Sequence, residues 1–364
     1  VMDNRSDEFI VFNEEGVCNY WTDALNRKNI TYFPNEEGKK KIEEMVNLLK
    51  QEGKGKKYDC LMGISGGLDS SYLAYLGYKW GLRILAVHID DGFDTSVAKE
   101  NIEKLCKKTN MELLIEKPNA EQFYDLTRAY VLAEVPNIAI PQDNILFAYL
   151  YKYVKKYNVR YFLSGTNFSL ESINQRGNTY NAYDIVNIKD IHRKFGTISM
   201  NQLPLVSYPK RIIDKYLYKT ETLKPLDFLD YNRERAIEEL KNFCDFNYYS
   251  GKHLENDFTI FAQVLWFYKK FNVDKRRSHL SSMIISNQMT REKALLELEK
   301  PVLEEVSMEP IINNVLNKLN IGREEFHKIM QRTGKQHSEY KTSNLDKLTL
   351  TIMERRRKYL MSGN

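Results

Sequence analysis

Residues 58–71, Tyr-Asp-Cys-Leu-Met-Gly-Ile-Ser-Gly-Gly-Leu-Asp-Ser-Ser, constrain the fold more than any other stretch of this chain. An apolar segment, Cys60 to Ile64, reads as a strand. It runs into Ser65-Gly66-Gly67-Leu68-Asp69-Ser70-Ser71 and then into a helical pattern. A strand, a glycine turn and a helix in that order make a cradle for an anion. The glycines let the backbone turn tightly and approach a ligand closely. Successive N–H groups in such a turn form a nest, and the following helix N-terminus adds positive charge. Ser65, Ser70 and Ser71 supply hydroxyl donors. Asp69 has the wrong sign for a phosphate site unless a cation bridges the two, and Mg²⁺ takes one or two carboxylates together with phosphate oxygens. The stretch is not a Walker loop, which requires a lysine after the second glycine. A plain glycine turn ending a strand is the alternative.

Around this unit, helical and strand patterns alternate. Glu36 to Gln51 is helical, with Ile42, Met45, Val46, Leu48 and Leu49 able to share a face. Ser70–Trp80 and Thr95–Thr109 read as helices, and Arg83–Ile89 and Glu112–Glu116 as strands. Residues 121–133 and 143–157 are helical, and Arg160–Leu163 is a strand ending at Ser164-Gly165-Thr166-Asn167. Continuous apolar strands between helices imply a doubly wound parallel sheet of the α/β class, buried on both faces. Ligands of such sheets bind beyond the carboxyl ends of the strands. From about residue 205 helical periodicity dominates, at 232–244, 257–271, 277–286, 290–299, 308–318 and 346–360. The chain is thus expected to hold an irregular segment at 1–35, an α/β domain at 36–204 and a smaller helical domain at 205–364.

The 364 residues are 42% hydrophobic and 28% charged, enough for two domains and a sizeable core. No apolar run approaches the roughly 20 residues of a membrane span, so no membrane association is expected. No secretory segment opens the chain. Four scattered cysteines, Cys18, Cys60, Cys106 and Cys244, read as reduced thiols in the cytoplasm. The sequence begins at Val1 without a methionine, so its first residues are expected to be missing. The net charge of +5 is modest. The basic runs Lys275-Arg276-Arg277 and Arg355-Arg356-Arg357-Lys358 can bind nucleic acid or serve as solvated helix faces. With no aromatic pattern of an RNA module, the second reading is preferred.

Other residues gather at strand ends. His88-Ile89-Asp90-Asp91-Gly92 closes the second strand. Asp90 or Asp91 can hold a ribose hydroxyl or the metal, or merely end the strand in a turn. At the fourth strand, Gly165 permits close backbone approach, Thr166 and Asn167 offer hydrogen-bonding groups, and Glu171 follows. Pro141-Gln142-Asp143 opens a helix, where Asp143 can be a ligand group or an N-cap. A phosphate group leaving from the Ser65–Ser71 turn would require positive charge beside it. Lys252, Lys275, Arg276 and Arg277 are the candidates to supply it. No cysteine sits at the N-terminus or in a Gly-x-Cys-x-Gly elbow, so no glutaminase nucleophile is expected.

Ser65-Gly66-Gly67-Leu68-Asp69-Ser70 resembles the Ser-Gly-Gly-x-Asp-Ser loop of the ATP pyrophosphatases, which cut ATP between the α and β phosphorus atoms. The resemblance extends to the N-acetyl sugar amidotransferases within that superfamily. It is carried by Val1-Met2-Asp3, Asn13-Glu14-Glu15-Gly16-Val17-Cys18-Asn19, Pro141-Gln142-Asp143 and Gly251-Lys252-His253. It is carried further by Asp274-Lys275-Arg276-Arg277-Ser278-His279-Leu280-Ser281-Ser282 and Met289-Thr290-Arg291. It implies an adenine nucleotide alpha hydrolase-like fold whose C-terminal helical domain serves substrate or partner. It also implies conversion of an acetamido group on a bacterial surface sugar, nucleotide-linked or free, to an acetamidino group, with AMP and pyrophosphate released. The sugars are diacetamido uronic acids or nonulosonic acids, made for lipopolysaccharide or O-antigen. ATP and Mg²⁺ are the implied cofactors. Ammonia would come from a separate glutaminase through a cyclase-like channel subunit.

On this reading Asp69, Lys252 and Arg277 act in catalysis. Ser65, Gly66, Gly67, Asp69, Ser70, Ser71, His88, Asp90, Gly165, Thr166, Asn167, Lys275 and Arg276 hold ATP. Gln142, Asp143, Glu171 and His253 hold the sugar, and Asp69 and Asp91 the Mg²⁺. The family's Cys-x-x-Cys pairs are degenerate here. Val1 stands where the first would just have ended, and the second reads Cys18-Asn19-Tyr20-Trp21, so zinc is not expected. A tRNA-modifying ATP pyrophosphatase and a non-catalytic nucleotide-binding module are the alternatives.

Overall fold

The computed structural model describes residues 1–5, 7, 9–173, 175, 177–248, 254–302, 308–344 and 351. The expected helix at 346–360, apart from residue 351, and the basic run at 355–358 lie outside these residues. At its centre is a five-stranded parallel sheet with strand order β3-β2-β1-β4-β5. The strands are β1 (Cys60–Gly63), β2 (Ile84–Ile89), β3 (Glu112–Glu116), β4 (Tyr161–Leu163) and β5 (Glu221–Leu223). This is the doubly wound α/β class expected from the alternating pattern.

The apolar runs divide between the two faces of the sheet, because successive strand side chains point to opposite sides. Cys60, Met62, Ile84, Ala86, Tyr161 and Leu163 face one core with Leu49, Leu73 and Leu105. Those leucines come from the helices Glu36–Glu52, Leu68–Lys79 and Ser96–Thr109. Leu61, Leu85, Val87 and Phe162 face the other core with Leu150, Tyr153 and Val154 of the helix Ile140–Tyr157. Each fully buried Leu, Ile or Val contributes about 1.5–3 kcal/mol.

Two elements depart from the sequence reading. Residues 1–35 are not all irregular, because Asn19–Thr31 is a helix. Only Tyr20 and Ala24 of it are buried, so its pattern carries little amphipathic signal. Cys18 and Tyr20 join Phe168, Ile173 and Ile285 in one cluster, which ties this segment to the rest. The second departure is β5, which lies beyond residue 204 and pairs with β4 through Tyr161↔Glu221 and Leu163↔Leu223. The sheet therefore takes its edge strand from the part read as helical. Glu221 and Thr222 are exposed, so the segment lacks the apolar run that marks a buried strand.

The later helices are Arg233–Cys244, Arg276–Ile285, Arg291–Glu299, Met308–Lys318 and Arg323–Gln331. A helix also starts at Asp257–Ile260 and winds on as a π-helix over Phe261–Lys270. These helices share cores with the α/β part. Phe258, Trp266 and Val315 pack with Leu126 and Tyr130, and Ala236 and Leu240 pack with Leu73. Among the described residues, no helix is long and apolar enough to cross a membrane.

Candidate active site

β1 has β2 on one side and β4 on the other, so chain direction diverges at its carboxyl end. Crevices at such switch points are where doubly wound sheets take ligands. Ser65 to Ser70 form the turn there. Gly66 has φ +77°, and a Cβ on it would lie 2.4 Å from the Ala98 carbonyl oxygen. Only glycine fits a left-handed position that close to another backbone. The Gly67 N–H donates to Ser65 Oγ at 3.2 Å, and Ser65 Oγ lies 3.3 Å from Ser70 Oγ. A Cβ on Gly165 would stand 3.0 Å from Ser70 N. The loop after β4 therefore lies directly on the loop after β1.

Two connected spaces open here. The smaller, of about 190 Å³, is lined by Ser65, Gly67, Asp69 and Ser70, by Ser164–Thr166, and by Glu171, Arg233, Tyr248 and Glu255. The larger, of about 860 Å³, shares Ser65, Ser164, Gly165, Thr166 and Glu255 with it. It extends past His88, Asp91, Gln142, Asp143, Tyr151, Tyr183, Arg211 and Lys275. A nucleotide and a second substrate can lie side by side in spaces of this size.

The charged groups are not equivalent. Asp69 Oδ1 accepts a hydrogen bond from the buried Tyr231 hydroxyl, which orients the carboxylate. Burial, with Asp69 beside it, holds the Tyr231 phenol well above its ordinary range. The Asp143 carboxyl has no hydrogen-bond partner among the described residues, and burial raises it to about 6. Asp91 also rises to about 6, through burial and the neighbouring Asp94. Lys275 is shifted down by burial and lies 5.1 Å from the Phe267 ring centroid. Arg211 stacks on Tyr183 at 4.5 Å and donates to Tyr151 Oη at 3.2 Å.

The sequence-based candidates fall into three groups. Ser65, Gly67, Asp69, Ser70, Gly165, Thr166 and Glu171 meet at the smaller space, and His88, Asp91, Gln142, Asp143 and Lys275 at the larger one. Lys252 and His253 lie outside the described residues.

The third group is corrected by the structure. Ser71 is fully buried inside its helix and reaches neither space. Gly66 shapes the turn and lines neither. Asp90 turns away to Lys99 at 3.3 Å and Lys117 at 3.1 Å. Asn167 is spent as an N-cap, accepting from Leu170 N at 3.0 Å. Arg276 pairs with Asp274 at 2.7 Å and donates to the Glu297 and Lys300 carbonyls, closing the helix Arg291–Glu299. Arg277 pairs with Asp3 at 2.8 Å and donates to the Val1 carbonyl at 2.9 Å, so it anchors the N-terminal segment.

Two further candidates change role. His88 lines the larger space, but Nδ1 meets the Ile64 carbonyl at 2.9 Å and Nε2 meets Asp94 at 3.0 Å. Both partners can accept. Burial disfavours the charged ring, but the Asp94 and Ile64 bonds prevail and its pKa is raised. It pins β2 to β1 and has no ring nitrogen left for a nucleotide. Asp91 accepts from Phe93 N at 2.9 Å, Gln142 Nε2 at 2.5 Å and Asn256 Nδ2 at 3.1 Å. It lines the larger space and Asp69 the smaller one, so they do not form the expected metal pair.

Glu255 was not foreseen and lines the smaller space with Asp69. Its Oε1 lies 3.5 Å from Ser65 Oγ. The segment reaches the loop because Thr95 N donates to the Glu255 carbonyl at 3.0 Å and Asp257 N to the Phe93 carbonyl at 2.8 Å. Arg211 and Arg233 were also not foreseen. Arg211 follows Lys210 and Arg233 stands two residues before Arg235, each on an ordinary helix with no motif to mark it. Among the described residues no group of three or more His, Cys, Asp or Glu side chains is placed to hold a metal. Asp69 and Glu255 line one space, and two carboxylates suit Mg²⁺ where phosphate oxygens complete its shell.

A protein of Methanocaldococcus jannaschii, "Uncharacterized protein MJ1599", is 22% identical over 302 residues, 82% of this chain and 91% of its own length. Among the solved structures that align with the chain are the following two. The NH3-dependent NAD synthetase from Campylobacter jejuni is 14% identical with a TM-score of 0.33, covering 82% of this chain and 98% of its own. The U34-tRNA thiolase NcsA from Methanococcus maripaludis is 12% identical with a TM-score of 0.33, covering 85% and 91%. Likeness at this level bears on neither substrate nor reaction. Over residues 255–356, the stretch that opens with Glu255 and contains Lys275, the chain matches the family model described as "LPS biosynthesis protein WbpG-like, C-terminal domain".

Proposed function

We propose that this chain is an ATP-dependent amidotransferase that turns the acetamido group of a bacterial N-acetyl sugar into an acetamidino group, forming AMP and pyrophosphate. The observation that carries the reading is the junction of the two spaces. The Ser65–Ser70 cradle opens through Ser164–Thr166 into a cavity large enough for a second substrate. The match over 255–356 to a domain of lipopolysaccharide biosynthesis proteins supports the sugar.

An amide carbon is a poor electrophile and its oxygen a poor leaving group. The amide oxygen attacks the α-phosphorus and pyrophosphate departs, leaving an O-adenylyl imidate. Ammonia adds to the imidate carbon, AMP leaves with the original oxygen, and a proton is released. The chain's task is to position reactants and neutralise charge. Ser65, Gly67 and Ser70 would hold the departing pyrophosphate, and Asp69 and Glu255 a Mg²⁺ that neutralises it. Tyr231 keeps Asp69 in place. The sugar would lie along Tyr151, Tyr183 and Arg211, with Asp143 between it and the nucleotide.

Three of the four cysteines are held as unreactive thiols. Burial raises the Cys106 thiol to about 11 and pushes the thiols of Cys60 and Cys244 up. Ammonia from a separate glutaminase, delivered through a channel subunit, is part of the proposal. Nucleotide chromatography after turnover with an acetamido sugar and ammonium should show AMP and pyrophosphate in equal amounts. The sugar product should be lighter by the difference between oxygen and NH. Stoichiometric ADP, or glutamine hydrolysis by the purified chain alone, would overturn the reading.

A further inference from the structure

The smaller space is poor in positive charge. Asp69, Glu171 and Glu255 line it, and among the described residues Arg233 is the one cation that does. We propose that Arg233 binds the pyrophosphate of ATP and neutralises it as it leaves, supplying the charge that a Walker loop takes from its lysine. This rests on reading the Ser65–Ser70 turn as a pyrophosphate site.

Position and availability select Arg233. It opens the helix Arg233–Cys244, which is fixed against the helix that follows the cradle, Leu68–Lys79. Tyr75 and Phe243 rings lie 4.8 Å apart, and Tyr72 Oη donates to Glu239 at 3.3 Å. Tyr231, two residues before Arg233, reaches Asp69 itself. The arginine is therefore carried on the same rigid pair of helices as the cradle.

The neighbouring arginine is differently placed. Arg235 pairs with Asp230 at 3.3 Å and lines neither space. Arg233 has no carboxylate within ion-pair distance among the described residues and is half-buried. Its guanidinium lies 6.0 Å from the Tyr248 ring centroid, a stacking contact that leaves its N–H groups unspent. A planar fork of donors suits phosphate oxygens better than a point charge does.

The test is binding of inorganic pyrophosphate with Mg²⁺ to the full chain, followed by calorimetry. The wild type should bind. Arg233→Gln should weaken binding by about 10-fold or more, and Arg233→Lys by less, because charge remains without the fork. Arg235→Gln should bind as the wild type does. The decline of affinity with salt should be shallower for Arg233→Gln than for the wild type. Equal pyrophosphate affinity in Arg233→Gln and a binding wild type would overturn the arginine's role and leave the nucleotide site standing. A wild type that binds neither pyrophosphate nor ATP would overturn both.

Discussion

The Tyr231 hydroxyl that donates to Asp69 Oδ1 comes from a side chain only 1% exposed, whose own carbonyl accepts from Gln288. Asp69 is thus aimed from behind by a rigid phenol. Asp69→Asn should keep this acceptor and the fold but lower turnover on the order of 10²-fold, because the charge for metal and phosphate is gone. Tyr231→Phe should keep the charge and lose the aim, lowering kcat by about 10-fold. Steady-state kinetics with folding checked by circular dichroism reads both, and near-normal turnover in Asp69→Asn would remove it from the site. Asp227 allows a test of burial. Its carboxyl accepts from Phe168 N at 2.6 Å, and burial raises it from 3.8 to about 6. Between those values the folded chain holds a proton that the unfolded chain releases. Stability from this group is present below about pH 4 and lost as pH rises through about 6. Asp227→Asn keeps the acceptor and should narrow the difference between denaturant midpoints at pH 4 and pH 6.5.

At the scale of elements, one buried ion pair joins three helices. Lys270, at the end of the π-helical stretch, meets Glu134 at 2.7 Å, with side chains 0% and 4% exposed. Its ammonium also donates to the Ile329 carbonyl at 2.6 Å and the Arg332 carbonyl at 2.9 Å. Glu134 ends the helix Ala120–Ala133, and Ile329 lies in Arg323–Gln331. Removing Lys270 leaves the buried Glu134 carboxylate with the more exposed Arg332, 3.4 Å away, as its cation. Lys270→Met should cost about 3–5 kcal/mol of unfolding free energy, and adding Glu134→Leu should recover part of it. Urea denaturation measures both, and a double variant no better than the single would show that packing dominates the site. Elements with strong periodicity or caps were legible in advance. Thr95 caps Ser96–Thr109 and Asn35 caps Glu36–Glu52, as side chains of those types do. The helix Asn19–Thr31 and strand β5 were not, because neither carries a buried apolar stripe of its own.

Across the whole molecule, the N-terminal segment is tied to the C-terminal helices. Arg277 holds Asp3 and the Val1 carbonyl, and the Val1 amine donates to Ser281 Oγ at 3.2 Å. This arginine therefore links distant parts of the chain and lines neither space at the Ser65–Ser70 turn. Arg277→Ala should leave pyrophosphate binding within about twofold of the wild type, as expected for a charge distant from the ligand, and should speed amide exchange in residues 1–5. Exchange followed by mass spectrometry together with calorimetry separates the two, and a large loss of pyrophosphate affinity would return Arg277 to the site.

The sequence by itself determined the parallel α/β sheet, the glycine turn at 65–70 and the strand end at 164–166. These are local properties, since apolar runs, glycines and hydroxyls at short spacing dictate their own backbone. Which charged residues face that turn was decided by tertiary structure. Arg276 and Arg277 belong to the most conspicuous basic run, yet both are consumed by carboxylates and carbonyls from distant segments. Arg233 and Glu255 are inconspicuous, yet packing delivers them to Ser65 and Asp69. A side chain's availability depends on which partners the fold brings within a few ångströms of it, and neighbours along the chain do not encode those partners.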